Sequence, residues 1–173
     1  MAVASAFSAS PRLIRVGLGF VAACLGTLVF HQGGVELCHL LGLTGSTPYN
    51  FRPVSPFGVP AVVSLTFWGG VWGIAFVLAE GAITRCPGGY WVGAALFGAI
   101  VPTLVFWFVV VPLKGQPLSY GFQVPRVFVA LIVDGLWGTG TAVFLTMLAG
   151  RRRADSAVSL GRDATPVARQ PGV

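Results

Sequence analysis

WVGAALFGAIVPTLVFWFVVVP, residues 91–112, carries no charged side chain and a single hydroxyl, Thr103. A helix rises about 1.5 Å per residue and a bilayer's hydrocarbon core is about 30 Å thick, so about 20 such residues cross it. The run is continuously apolar. A membrane β-barrel strand would instead alternate apolar and polar residues. Three further runs repeat the pattern: VGLGFVAACLGTLVF (16–30), AVVSLTFWGGVWGIAFVLA (61–79) and VFVALIVDGLWGTGTAVFLTMLA (127–149). The whole chain of 173 residues is 55% hydrophobic and 9% charged, against about 25% charged for an ordinary soluble domain. The expected fold is all-α, an integral membrane bundle of four transmembrane helices.

Boundaries fall where the runs break. Residues 1–12 form an N-terminal segment, 13–150 a single four-span domain and 151–173 a basic tail expected to be disordered. Within the domain the spans are placed at 13–34, 60–80, 90–112 and 125–149. An outer helix or loop covers 35–59, its helical part read as an interfacial helix or as a continuation of span one; an inner loop covers 81–89 and an outer loop 113–124. The first run is short for a span unless it continues through His31 to Gly34. Lys and Arg placement orients the bundle. Eight basic residues fall on the side holding both termini (Arg12, Arg15, Arg85, Arg151, Arg152, Arg153, Arg162, Arg169) and three on the other (Arg52, Lys114, Arg126). That favours cytoplasmic termini, and ten arginines to one lysine with abundant Ala, Val and Gly is the habit of a GC-rich bacterial coding sequence, so a bacterial inner membrane is the expected location. A net charge of +6 would suggest nucleic acid in a soluble protein. Here the basic residues lie between apolar runs and in the tails, with no nucleic-acid-binding signature. VAAC at 21–24 matches a lipoprotein cleavage box, which would lipidate Cys24, but the apolar run continues past the cysteine where a processed lipoprotein turns polar.

VPAVVSLTFWGGVWG (59–73) and VPRVFVALIVDGLWG (124–138) align without gaps through Pro60/Pro125, Gly70/Gly135, Trp72/Trp137 and Gly73/Gly138. TLVF occurs at 27–30 and again at 103–106. Spans one and two thus read as a hairpin and spans three and four as its tandem copy, related by a pseudo-two-fold along the membrane normal. Convergence on common membrane-helix residues is the competing account. The first copy carries the longer outer loop, HQGGVELCHLLGL and then the proline-rich STPYNFRPVSPFGVP. Proline forbids a helix throughout the second part. Pro60 and Pro125 are expected in the first turns of their helices.

Helices in lipid associate by close packing, which small residues permit. Gly69, Gly70 and Gly73 of span two, Gly89 and Gly93 of span three, and Gly135, Gly138 and Gly140 of span four are the expected packing glycines. Dimerisation is the other use of such positions. Pro102 should kink span three.

Asp134 is the one ionisable residue well inside a run, and it replaces Gly69 of the first copy. A carboxylate there costs about 2.5–3.5 kcal/mol on insertion scales, so it must face protein or water. Counting from span midpoints puts Asp134 roughly 4–6 Å, and His31 roughly 8 Å, toward the outer side. Thr66 lies at a similar level. Asp134, His31 and Thr66 are therefore expected to form an intramembrane polar site, either a proton-responsive or ligand-binding site or a polar staple between helices. Glu36, His39 and His31 lack a diagnostic metal spacing. No nucleophile–base pair, phosphate loop or dinucleotide fingerprint is present, so no catalytic residue, metal or cofactor is assigned.

HQG near the end of span one, PFGVP before span two and FWGGVWG within it resemble a group of small bacterial inner-membrane proteins. The resemblance covers roughly residues 13–150. It implies a four-helix membrane protein and carries over no catalytic residue, substrate or cofactor. The sequence thus leads to a membrane protein that associates with itself or with other membrane proteins, an accessory role. The alternative is a small proton-responsive transporter or channel using Asp134 and His31.

Overall fold

The computed structural model describes residues 11–55 and 57–163. Four helices in it are long and apolar enough to cross a membrane: Arg12–Leu40, Ala61–Leu78, Gly89–Leu113 and Val124–Gly150. The first is built from α1 (Pro11–Gly26), one wide π-helical turn (Thr27–His31) and α2 (Gln32–Leu40). Of the two readings of the stretch from residue 35, the structure has the continuation of span one. A two-residue antiparallel ladder comes next, β1 (Pro53–Val54) with β2 (Val59–Pro60), in the register Pro53 opposite Pro60 and Val54 opposite Val59. Span two is α3 (Ala61–Leu78), and a short α4 (Glu80–Ile83) turns the chain. Pro60 stands just before α3 rather than in its first turn, because it closes the ladder.

Span three is α5 (Gly89–Val105), a second π-turn (Phe106–Val110) and α6 (Val111–Leu113). The helix runs on through Pro102 and widens one turn later. α7 (Ser119–Phe122) interrupts the loop expected at 113–124. Span four is α8, which begins at Val124 with Pro125 in its first turn and continues to Asp163. The disorder expected from residue 151 therefore does not start there. Propagating an existing helix costs little, and Ala154, Ala157 and Leu160 favour it. Residues 1–10 and 164–173, which hold most of the expected N-terminal segment and the rest of the tail, lie outside the described residues.

α1 packs closely against α3 and α8, and α8 packs closely against α5. α3 and α5 meet chiefly through aromatic rings: Phe76 stands edge-on to Phe97 at 5.3 Å and to Tyr90 at 6.4 Å. This contact joins the core cluster of Ala22, Phe76, Ile83, Ala94, Ala142 and Leu145. At the same end of the bundle Arg15 makes a bidentate ion pair with Glu80, its Nε donating to Oε2 at 2.8 Å.

Glycines set the close approaches. A Cβ on Gly69 would collide with Thr27 Oγ1, on Gly70 with Phe20 and Cys24, and on Gly73 with the Gly19 carbonyl and Ala23. Gly138 and Gly98 pack backbone to backbone between α8 and α5, Gly140 lies on the Phe30 ring and Gly93 on the Ile83 carbonyl. These expected glycine faces are thus occupied inside the chain. Gly135 has only ordinary contacts, its nearest neighbour being Ala99 at 3.5 Å from a built Cβ. Gly89 packs against nothing. Its φ of 80° comes after φ 99° at Gly88, so this pair of glycines makes the left-handed turn that starts α5.

Candidate functional site: a polar cluster inside the bundle

The seam between spans one and four is cut close by Gly26 against Thr141 and by Gly34 against Leu136 and Val133. That proximity brings the end of the first π-turn onto the middle of α8. His31 is the last residue of the turn. A π-turn takes in one extra residue, which rotates the rest of the span by about 100° relative to an uninterrupted α-helix. His31 Nε2 stands 3.7 Å from Asp134 Oδ1. The two expected partners are therefore brought together in depth and in direction.

Thr66, the third expected member, is elsewhere. Its hydroxyl donates to the Val62 carbonyl of its own helix at 2.8 Å, and its carbonyl accepts the Cys24 thiol at 3.4 Å. It lines an apolar groove of about 360 Å³ between α1 and α3, with Phe20, Cys24, Leu28, Val62, Val63 and Phe67. Residue counting puts it near Asp134 in depth, but its helix turns it toward α1.

Thr103 takes the third place. Its Oγ1 donates to Asp134 Oδ2 at 2.6 Å, and the residue is only 1% exposed. The sequence holds a signal for it: TLVF occurs twice, and its threonines are Thr27 and Thr103. In the first hairpin Thr27 faces Gly69, and in the second Thr103 faces Asp134, the residue aligned with Gly69. Thr27 turns its hydroxyl back to the Ala23 carbonyl at 2.9 Å. Trp137 Nε1 donates to the same carbonyl at 3.3 Å and closes the space beside Gly69.

The cluster is unequally satisfied. A contact of 3.7 Å lies beyond hydrogen-bond reach. His31 Nδ1 is buried and has no hydrogen-bond partner among the described protein atoms. One carboxylate oxygen is thus held by Thr103, while the other faces an imidazole that is near but not bonded. Among the described residues no three His, Cys, Asp or Glu side chains gather as metal ligands. His39 instead turns Nδ1 to the Thr44 carbonyl at 3.2 Å, at the end of α2.

Comparison with protein-family models, with curated proteins and with solved structures finds no match to this chain. The chemistry of the cluster therefore rests on its own residues.

Proposed function

We propose that this chain is a multi-pass protein of the bacterial inner membrane, with cytoplasmic termini, that responds to protons at the His31–Asp134 pair. The unbonded 3.7 Å approach between two titratable groups inside the span region carries this reading. A polar staple would close its hydrogen bonds, because an unsatisfied polar group in an apolar interior costs free energy. Here the imidazole keeps open capacity beside a carboxylate. One proton shared by the pair leaves it neutral overall, which is the cheapest state in hydrocarbon. A charge-assisted hydrogen bond forms at about 2.7–2.9 Å, so closing the pair needs a shift of about 1 Å. Spans one and four meet across glycines, and a small slide along such a seam is the kind of motion packed helices make. Gain or loss of a proton then biases the seam. A small proton-linked transporter or channel fits this chemistry. The two hairpins read as tandem copies, a reading supported by the matched Thr27–Gly69 and Thr103–Asp134 placements.

The test is proton flux into vesicles reconstituted with the full chain, monitored with an internal pH dye. Asp134→Asn should abolish it. A flux of undiminished size in that variant defeats the proposal.

A second reading, an accessory protein that associates with itself or other membrane proteins, is favoured by α3. Its close helix contact is with α1, and Val63, Phe67 and Trp68 point outward at 52%, 53% and 57% exposure. Purification in mild detergent with mass spectrometry of the accompanying proteins tests it. A stoichiometric partner together with no flux would favour this reading over the first.

A further inference from the structure

The non-helical chain between α2 and α3 can be placed in depth from hydrogen bonds alone. Arg15 pairs with Glu80, so these residues share a level at one end of the bundle. Nineteen residues along each span from that level stand Gly34 on span one and Ala61 at the start of α3, both about 28 Å away at 1.5 Å per residue. A hydrocarbon core of about 30 Å puts Gly34 and Ala61 at its far boundary. The loop is tied to that level. Ala61 N–H donates to the Arg52 carbonyl and Val62 N–H to the Asn50 carbonyl, each at 2.9 Å. Tyr49 N–H donates to Gln32 Oε1 at 2.7 Å, and the Tyr49 hydroxyl donates to the Leu28 carbonyl at 2.8 Å. Leu28 lies six residues, about 9 Å, on the membrane side of Gly34. The described residues from Tyr49 to Pro60 therefore sit at the apolar boundary instead of standing clear of it, and the Tyr49 side chain reaches below.

Non-helical backbone at this depth needs internal partners. The β1–β2 ladder, the Gly58 N–H to Val54 carbonyl bond at 2.9 Å and the two bonds at the start of α3 supply them. Gln32, 4% exposed within a span, has its role here: its side-chain oxygen takes the Tyr49 N–H. The lobe nonetheless turns large apolar side chains outward. Phe51 is 70% and Phe57 86% exposed, and Leu40 and Leu41, at the end of span one, are 73% and 64% exposed. Large apolar side chains turned outward at this depth need an apolar surrounding.

We infer that the lobe is a platform for the lipid interface. Residues 49–60 rest in the boundary between headgroups and acyl chains of the nearer leaflet, with Phe51 and Phe57 inserted among the lipids. Aromatic residues at the headgroup level are the usual anchors of such a position. This placement needs only that the four helices span a bilayer, so it stands apart from the proton reading.

Single spin labels test it in the full chain, with Cys24, Cys38 and Cys86 first replaced by serine or alanine. Phe51→Cys, Phe57→Cys and, as the aqueous control, Lys114→Cys are labelled in vesicles of phosphatidylcholine and phosphatidylglycerol. Accessibility to oxygen, which concentrates in the acyl region, is compared with accessibility to a water-soluble nickel chelate. The oxygen-to-nickel ratio at 51 and 57 should exceed that at 114 several-fold. Equal ratios at all three sites place the lobe in water and overturn the inference. Protection at 51 and 57 from both relaxants places them against a second copy or another protein and overturns it equally. The label sites are exposed, and helical circular dichroism confirms that each variant is folded before it is read.

Discussion

His31 Nε2 faces Asp134 Oδ1 at 3.7 Å across the seam of spans one and four, while Thr103 closes on the other carboxylate oxygen at 2.6 Å. The two distances separate two roles. Thr103 fixes the carboxylate, and His31 is the partner whose bond is still to be made. Thr103→Val should therefore lower stability in detergent by about 0.6–1.7 kcal/mol, the range of hydrogen bonds between membrane helices. Thr103→Ser should retain most of it. In a double-mutant cycle with Asp134→Ala the two losses should not add, since either change removes the same bond. Additive losses would deny Thr103 its hold on the carboxylate.

The protonation of Asp134 has a direct signature. Among the described residues within the four spans it is the one carboxyl group away from an end, so a buried C=O stretch appearing in infrared difference spectra as pH falls belongs to it. The band should be missing from Asp134→Asn. His31→Gln keeps a polar side chain of similar reach and removes its titration, so the band should persist but appear at a different pH. A band that appears at the same pH in His31→Gln would show that the pair does not exchange protons as a unit.

The first hairpin has no room for the aspartate of the second. A Cβ at Gly69 already meets Thr27 Cβ at 3.3 Å and Trp137 Nε1 at 3.4 Å, with Thr27 Oγ1 closer still. Gly69→Ala should cost about 1–3 kcal/mol, the usual range for overpacking, and Gly69→Asp more. Thr27→Ala removes the colliding hydroxyl, so combining it with Gly69→Ala should recover much of the loss in a thermal unfolding series. Equal melting of Gly69→Ala and the native protein would refute the close contact.

Residue counting along the spans carries depth better than direction. A rise of fixed size per residue puts Asp134, His31 and Thr66 at one level, and His31 and Asp134 do meet. Thr66 does not join them, because the helix faces its side chain toward α1, and level alone carries no information on that. The π-turn at Thr27–His31 is equally hidden. It depends on how span one seats against α8, and no local residue pattern announces it. Thr103 is legible only through its tetrapeptide, which matches that of Thr27. A hydroxyl does not titrate, so nothing in its own chemistry singles it out as a partner for Asp134. Helix extension past Arg151 is obscured for another reason. Charge and a change of composition suggest disorder there, although Ala154, Ala157 and Leu160 are good helix formers.

Glycines that look alike in the sequence divide by what faces them. Gly98 and Gly138 hold α5 and α8 backbone to backbone, and a Cβ on Gly98 would lie 2.8 Å from Gly138 Cα. Backbone cannot move aside as a flexible side chain does, so Gly98→Ala and Gly138→Ala should each destabilise by about 1–3 kcal/mol and loosen the Thr103–Asp134 bond between the same helices. Gly135, three residues before Gly138 on α8, meets nothing closer than 3.5 Å, and Gly135→Ala should fall within about 0.5 kcal/mol of the native protein. Urea unfolding in detergent micelles measures all three. Similar losses at 135 and 138 would mean that the sequence motif, and not the contact, sets the cost.

Orientation can be tested with thiols placed at the two ends. Cys86 lies in the turn between α4 and α5, at the end of the bundle that holds Arg15 and Glu80. Arg52 and Lys114 lie in the connections at the other end. The proposed orientation, argued from eight basic residues against three, has the Arg15 end in the cytoplasm. A membrane-impermeant maleimide added to intact spheroplasts should therefore label Lys114→Cys when the native cysteines are replaced. The native Cys86 should react only after the membrane is permeabilised. Cys38 is not suited to this use, being 2% exposed and shielded wherever the bundle points. The reverse labelling pattern would invert the bundle. His31 and Asp134, which lie nearer the Arg52 end, would then take their protons from the cytoplasm.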